Sequence, residues 1–136
     1  MLALSGYSIW YWAILHAGKD VENRKWPTAI RGTIALHASK RIPPEDYWEA
    51  RGYIERIAKL KVGSSEDFVK GAIIGVVDIV DCVKHSSSPW FFGPYGFVLQ
   101  NPRVLPRPIP CAGALYFWKV PAEIEARIKD QLGDSE

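Results

Sequence analysis

The sequence predicts an α+β domain in which five or six short strands form a curved sheet or small β-barrel, with helices inserted between them. Three observations lead there. A long β-branched run, Ala72 to Val83, carries a glycine at Gly75, where a bulge or barrel corner would bend it. Helix-opening prolines stand at Pro43-Pro44 and Pro121. Length and composition, 136 residues at 48% hydrophobic and 24% charged, suit one core, so residues 1–136 are read as a single domain.

Leu2 to Ser5 reads as a short strand. Ser8 is placed to cap a helix over about 9–17, which Gly18 ends. That helix is almost wholly apolar, so it is either buried on all sides or turns one face to a cavity. Lys19 to Arg24 is an extended segment, Trp26-Pro27-Thr28 a turn, and Gly32 to Ala38 a strand. A helix follows over about 45–61, with Trp48, Ile54, Ile57 and Ala58 as its inner face. After the loop Gly63-Ser64-Ser65 comes the long strand 72–83, then the turn-rich His85 to Pro89. Tyr95 to Leu99 and Ala114 to Val120 supply two more strands, and Pro121 starts a final charged helix.

Composition narrows the function. The formal charge of +2 is mild, whereas a binder working by counterion release is usually more basic. Cys82 and Cys111 lack metal-ligand spacing and sit in apolar sequence, which predicts buried free thiols in a reducing, cytoplasmic setting, with no metal and no cofactor. The apolar start lacks a positive leader segment and is too short to span a bilayer, so no membrane association is expected and the protein reads as soluble. His37, within a β run, reads as a hydrogen-bonded structural histidine. Asp78 and Asp81, three apart on a strand, face opposite sides and make no carboxylate pair.

Four stretches carry a family resemblance: Gly18-Lys19-Asp20-Val21-Glu22-Asn23-Arg24, Arg31-Gly32, Leu36-His37-Ala38-Ser39-Lys40 and Gly75-Val76-Val77-Asp78-Ile79-Val80-Asp81-Cys82. With Pro89-Trp90-Phe91-Phe92-Gly93-Pro94-Tyr95-Gly96, they resemble ASCH domains of the PUA-like superfamily in the same order over almost the whole chain. The resemblance implies a small PUA-like barrel with flanking helices, and a cleft between barrel and first helix suited to RNA or a modified nucleoside. Some members resemble nucleases or amidohydrolases acting on an acetylated nucleoside, with a lysine near the start of the motif that is either Lys19 or Lys40 here. Glu22 and Arg24 alternate in an extended segment and so point the same way. They form either a base-reading pair or a structural ion pair. Arg31 is a candidate phosphate ligand, and Lys40 a phosphate ligand or simply a solvated strand end.

Departures from the family pattern cluster. ASCH domains tend to continue from the first strand as Ser-Ile-(Arg or Lys)-Gln-Pro-(Trp or Tyr)-Ala; here the chain reads Ser5-Gly6-Tyr7-Ser8-Ile9-Trp10-Tyr11. Tyr7 and Ser8 replace the basic residue and the glutamine. Ala29-Ile30 stands for a more basic and aromatic pair, Ala112 for a lysine and Tyr116 for a glycine. These substitutions predict a cleft remodelled, by engineering, to bind a bulky apolar ligand of sterol, secosteroid or terpenoid type without catalysis. Tyr7, Ile9, Trp10, Tyr11, Ile30 and Tyr116 would be its walls, Gly6, Ala29 and Ala112 its space, and Ser8 or a tyrosine hydroxyl its polar contact. The alternative is the family's own chemistry: RNA or nucleoside binding through Lys19, Glu22, Arg24, Arg31 and Lys40, with or without hydrolysis.

Overall fold

The computed structural model describes residues 1–133. Its elements run β1 (Leu2–Gly6), α1 (Ser8–His16), β2 (Val21–Arg24), β3 (Gly32–Ala38), α2 (Pro44–Ala58), β4 (Ala72–Val83), β5 (Tyr95–Pro110), β6 (Phe117–Lys119) and α3 (Ala122–Leu132). The six strands form one curled mixed sheet in the order β2-β5-β4-β3-β1-β6. β1 and β3 are parallel, while every other neighbouring pair is antiparallel. The expected α+β class is therefore present, with the barrel in half-barrel form and β2 and β6 at the two ends of the sheet.

Both faces of the central strands are covered, which explains their unbroken apolar runs. Ala35 and Val76 pack on one face with Ile124 and Ile128 of α3, while Ile34, Leu36 and Val77 pack on the other with Tyr11 and Ile14 of α1. Helix α1 is also gripped from its far side, where Ile9 and Ala13 meet Tyr47, Ala50 and Ile54 of α2. Two opposing contacts leave it no polar face, so its all-apolar sequence follows from its position. Gly18 ends the helix at φ 79°, in the left-handed region. Tyr7, not Ser8, is the N-cap; Ser8 lies one position inside the helix and is buried.

Gly75 marks a register shift in the β4–β5 ladder, and a Cβ there would stand 2.7 Å from the Arg103 carbonyl oxygen and from Leu15 Cδ2. A side chain would block the close crossing of α1 over the bend. β5 runs on to Pro110, far beyond the expected Leu99, although Pro102, Pro106, Pro108 and Pro110 lie in the added part. β2 pairs only with Tyr95 to Val98, so the remainder of β5 has β4 as its one strand partner. Prolines fit there because one edge of that stretch asks for no N–H donor. β6 is shorter than expected: Tyr116, at φ 58°, breaks the extended run before it. Helix α2 turns Tyr47, Ala50 and Ile54 inward, whereas Trp48, expected inside, is 61% exposed.

His37 is hydrogen-bonded at both ring nitrogens, 3.0 Å from Ser5 Oγ and 2.8 Å from the Cys111 carbonyl oxygen. Cys82 and Cys111 are free and only half-buried, each on or beside a strand margin. No described helix is long and apolar enough to cross a membrane.

Candidate functional site

A cavity of about 810 Å³ opens between α1, β2 and the N-terminal half of α2. Its floor is charged. Glu22 and Arg24, two apart on β2, both turn into it, and Arg24 Nη2 lies 2.7 Å from Glu22 Oε2. The buried Tyr11 hydroxyl donates to Glu22 Oε2 at 3.0 Å and accepts from Arg24 Nη2 at 3.0 Å. Arg24 also reaches the Ser5 carbonyl at 2.9 Å, tying β2 to the end of β1. Burial, together with the Glu22 carboxylate, pushes the Tyr11 phenol well above its usual range, so it is a neutral hydrogen-bonding group.

Lys19, immediately after the turn that ends α1, is 4% exposed yet lines the same cavity. Its ammonium donates to the Val21 carbonyl and sits 5.3 Å from the centre of the Trp10 ring. Burial lowers its pKa, against the opposing pull of Glu22 and Asp20. Trp10 is held edge-on between Tyr53 and Phe92 at one end of the cavity. At the other end Trp26 meets Tyr116 edge-to-face at 5.2 Å, with the Arg24 guanidinium 5.8 Å from the Trp26 ring. Asn23 positions the loop carrying Phe92: its side-chain oxygen accepts from the backbone N–H groups of Phe92 and Gly93, and its amide donates to the Trp90 carbonyl.

The structure brings together Gly6, Tyr7, Trp10, Tyr11, Lys19, Glu22, Arg24 and Tyr116 around this cavity. Gly6 makes room for a protein group, not for a ligand, since a Cβ there would stand 2.6 Å from Tyr11 Cζ. The other expected residues lie elsewhere. Ile9 is fully buried against α2, and Ser8 borders a separate recess of about 140 Å³ behind α1, because one step along a helix turns a side chain by about 100°. Ile30 packs into the core beside β3, while Ala29 is exposed. Ala112 lies exposed in the loop before β6 and does not line the cavity. Arg31 pairs with Asp81 at 3.7 Å on the surface, and Lys40 lies over Gly71, so neither reaches the cleft. Sequence reasoning missed Asn23, Lys25, Trp26, Ser39, Asp46, Glu49, Ala50 and Phe92, all of which line the cavity. Of these, Asn23, Ser39 and Phe92 gave a signal, since they stand within the stretches that carry the resemblance.

Comparison with known proteins decides the family. The ASCH domain pattern matches residues 4–111. The chain belongs to the ASCH domain family. Activating signal cointegrator 1 from Homo sapiens and that from Mus musculus are each 25% identical to it over 138 aligned positions. Those alignments cover 95% of this chain but 24% of each relative, so the chain spans about a quarter of their length. This ASCH chain keeps the motif residues Lys19, Glu22 and Arg24 in one cleft, whereas its Arg31 and Lys40 stand outside it.

Proposed function

We propose that the cleft of this ASCH domain binds an unpaired nucleotide of RNA or a modified nucleoside. One observation carries the reading: a carboxylate and a guanidinium, Glu22 and Arg24, form the floor of a cavity flanked by Trp10 and Phe92 on one side and Trp26 and Tyr116 on the other. A nucleobase is a planar ring with donors and acceptors on its edge, so it asks for stacking walls and a polar floor. The volume lies within the range of small-ligand clefts. ASCH membership supports the same ligand class.

A bulky apolar ligand fits the floor less well. It would take Lys19, Glu22 and Arg24 further from water while offering them no hydrogen bond, which carries a free-energy penalty. The two readings separate in a titration of tryptophan fluorescence with nucleosides, a short single-stranded RNA and a sterol. Saturable quenching by the first two and none by the sterol is the expected result. A response to the sterol alone would overturn the proposal.

Lys19 favours one addition. A buried amine with a lowered pKa is a candidate proton acceptor or nucleophile in the cleft. It points to hydrolysis of an acylated nucleoside, checked by acetate release from an acetylated nucleoside. Lys19→Met should abolish release, and absence of release from the unmodified protein would remove the catalytic part while leaving the binding part intact.

A further inference from the structure

A second groove, of about 400 Å³, runs along α2 and shares Trp10, Glu49 and Phe92 with the main cavity. We infer that it holds the next nucleotide of a single-stranded RNA whose neighbouring base occupies the main cleft, an inference that rests on the nucleotide-binding reading above.

Gly52 is the most telling residue. It stands in the interior of α2, where glycine weakens a helix relative to alanine. Neither backbone nor packing requires it: it does not have the positive φ seen at five other glycines, and a Cβ built there meets nothing within 4 Å. Its neighbours on the same helix face, one turn away in each direction, are Trp48 and Arg56. All three line the groove, and glycine keeps its floor flat between an aromatic ring and a cation.

The rest of the groove has matching chemistry. Trp48 is 61% and Phe92 51% exposed, large apolar surfaces left open to solvent beside a cleft. The Arg56 guanidinium lies 4.9 Å from the Tyr53 ring centre, so a cation sits beside an aromatic face. An aromatic surface with an adjacent guanidinium is what a stacked base and its phosphate require. Glu49, at the seam between groove and cleft, repels phosphate and accepts from a ribose hydroxyl, so the backbone passes on the Arg56 side. Continuity through shared residues gives a strand leaving the main cleft a direct path onto this surface.

The test uses the full chain, the four nucleoside 5′-monophosphates and a short mixed-sequence single-stranded RNA, with binding read by fluorescence and folding by Tm. Gly52→Leu fills the groove with a better helix former. It should keep or raise Tm, leave monophosphate affinity within about twofold and weaken RNA binding about tenfold, as loss of one stacked base would. Trp48→Ala, at an exposed position, should show the same split and decides the matter if Gly52→Leu folds poorly. Unchanged RNA affinity in a folded variant, or equal losses for monophosphates and RNA, would overturn the second site while leaving the first. Wild-type protein that binds neither probe would overturn both.

Discussion

Tyr116 shows at a single position how local strain and exposure combine. It is 62% exposed and its backbone lies at φ 58°, a region that costs a side-chain-bearing residue about 1–2 kcal/mol. Glycine is the residue that such a backbone angle favours. Here the tyrosine closes one end of the cleft against Trp26. Tyr116→Gly relieves the strain but increases the freedom of the unfolded chain by about 0.5–1 kcal/mol, so urea unfolding should show stability changed by no more than about 1 kcal/mol. Nucleotide affinity should fall about tenfold in the same variant, since one stacking wall is gone. Lys19 carries a pH signature. Burial sets its folded pKa below the 10.5 of a free lysine, so in the interval between the two values the unfolded chain binds more protons and folding gains stability as pH rises. Measured against Lys19→Met by urea unfolding, the wild type should therefore improve as pH rises towards 10.5, and a flat difference would mean that the amine is not buried as described.

At the scale of elements, the junction of β1 and α1 controls the cleft. Gly6 lets the Tyr11 ring approach the strand end, and that ring carries the hydroxyl between Glu22 and Arg24. Gly6→Ala would put a methyl group 2.6 Å from Tyr11 Cζ, so the buried ring must shift and strain its hydrogen bonds to Glu22 and Arg24. The expected loss is about 1–3 kcal/mol in urea unfolding, with nucleotide binding weakened because the floor shifts with the ring. An unchanged stability would show that α1 can move off the strand. The same junction explains why the run from Tyr7 to Tyr11 divides its side chains among three destinations. Tyr7, Trp10 and Tyr11 reach the cleft, Ile9 enters the core against α2, and Ser8 meets the small recess behind the helix. A strand would have shared them between two faces; a helix spreads them over its whole circumference.

For the whole molecule, charge and shape predict weak dependence on salt. The net charge is +2, and among the residues lining the cleft only Lys25 is an exposed cation, Lys19 being buried and Arg24 paired with Glu22. Single-stranded RNA contacting Lys25 here and Arg56 in the adjoining groove should therefore follow log salt with a slope of about −1.4, two phosphates at about −0.7 each. A slope steeper than about −3 would place the interface on another surface. Much of this architecture was legible in the chain. The bounds of β3 and β4 follow from β-branched runs between turns, the starts of α2 and α3 from their prolines, and the Glu22–Arg24 pairing from strand alternation. The proline-bearing half of β5 was not legible, because whether a proline is tolerated depends on which strand edge is free, a property of the assembled sheet. Nor were Trp26 and Glu49 as cleft residues, or Gly52 as the floor of a groove, since each acquires its place from elements distant in sequence. The sequence by itself determined the family, the strand-forming runs and the alternation that aims two charges the same way, because these are local periodicities. Only the tertiary structure decided that those charges lie under a ring of aromatic side chains and that Ile9, Ile30 and Ala112 do not, because the curl of the sheet and the two-sided burial of α1 are set by packing between distant segments.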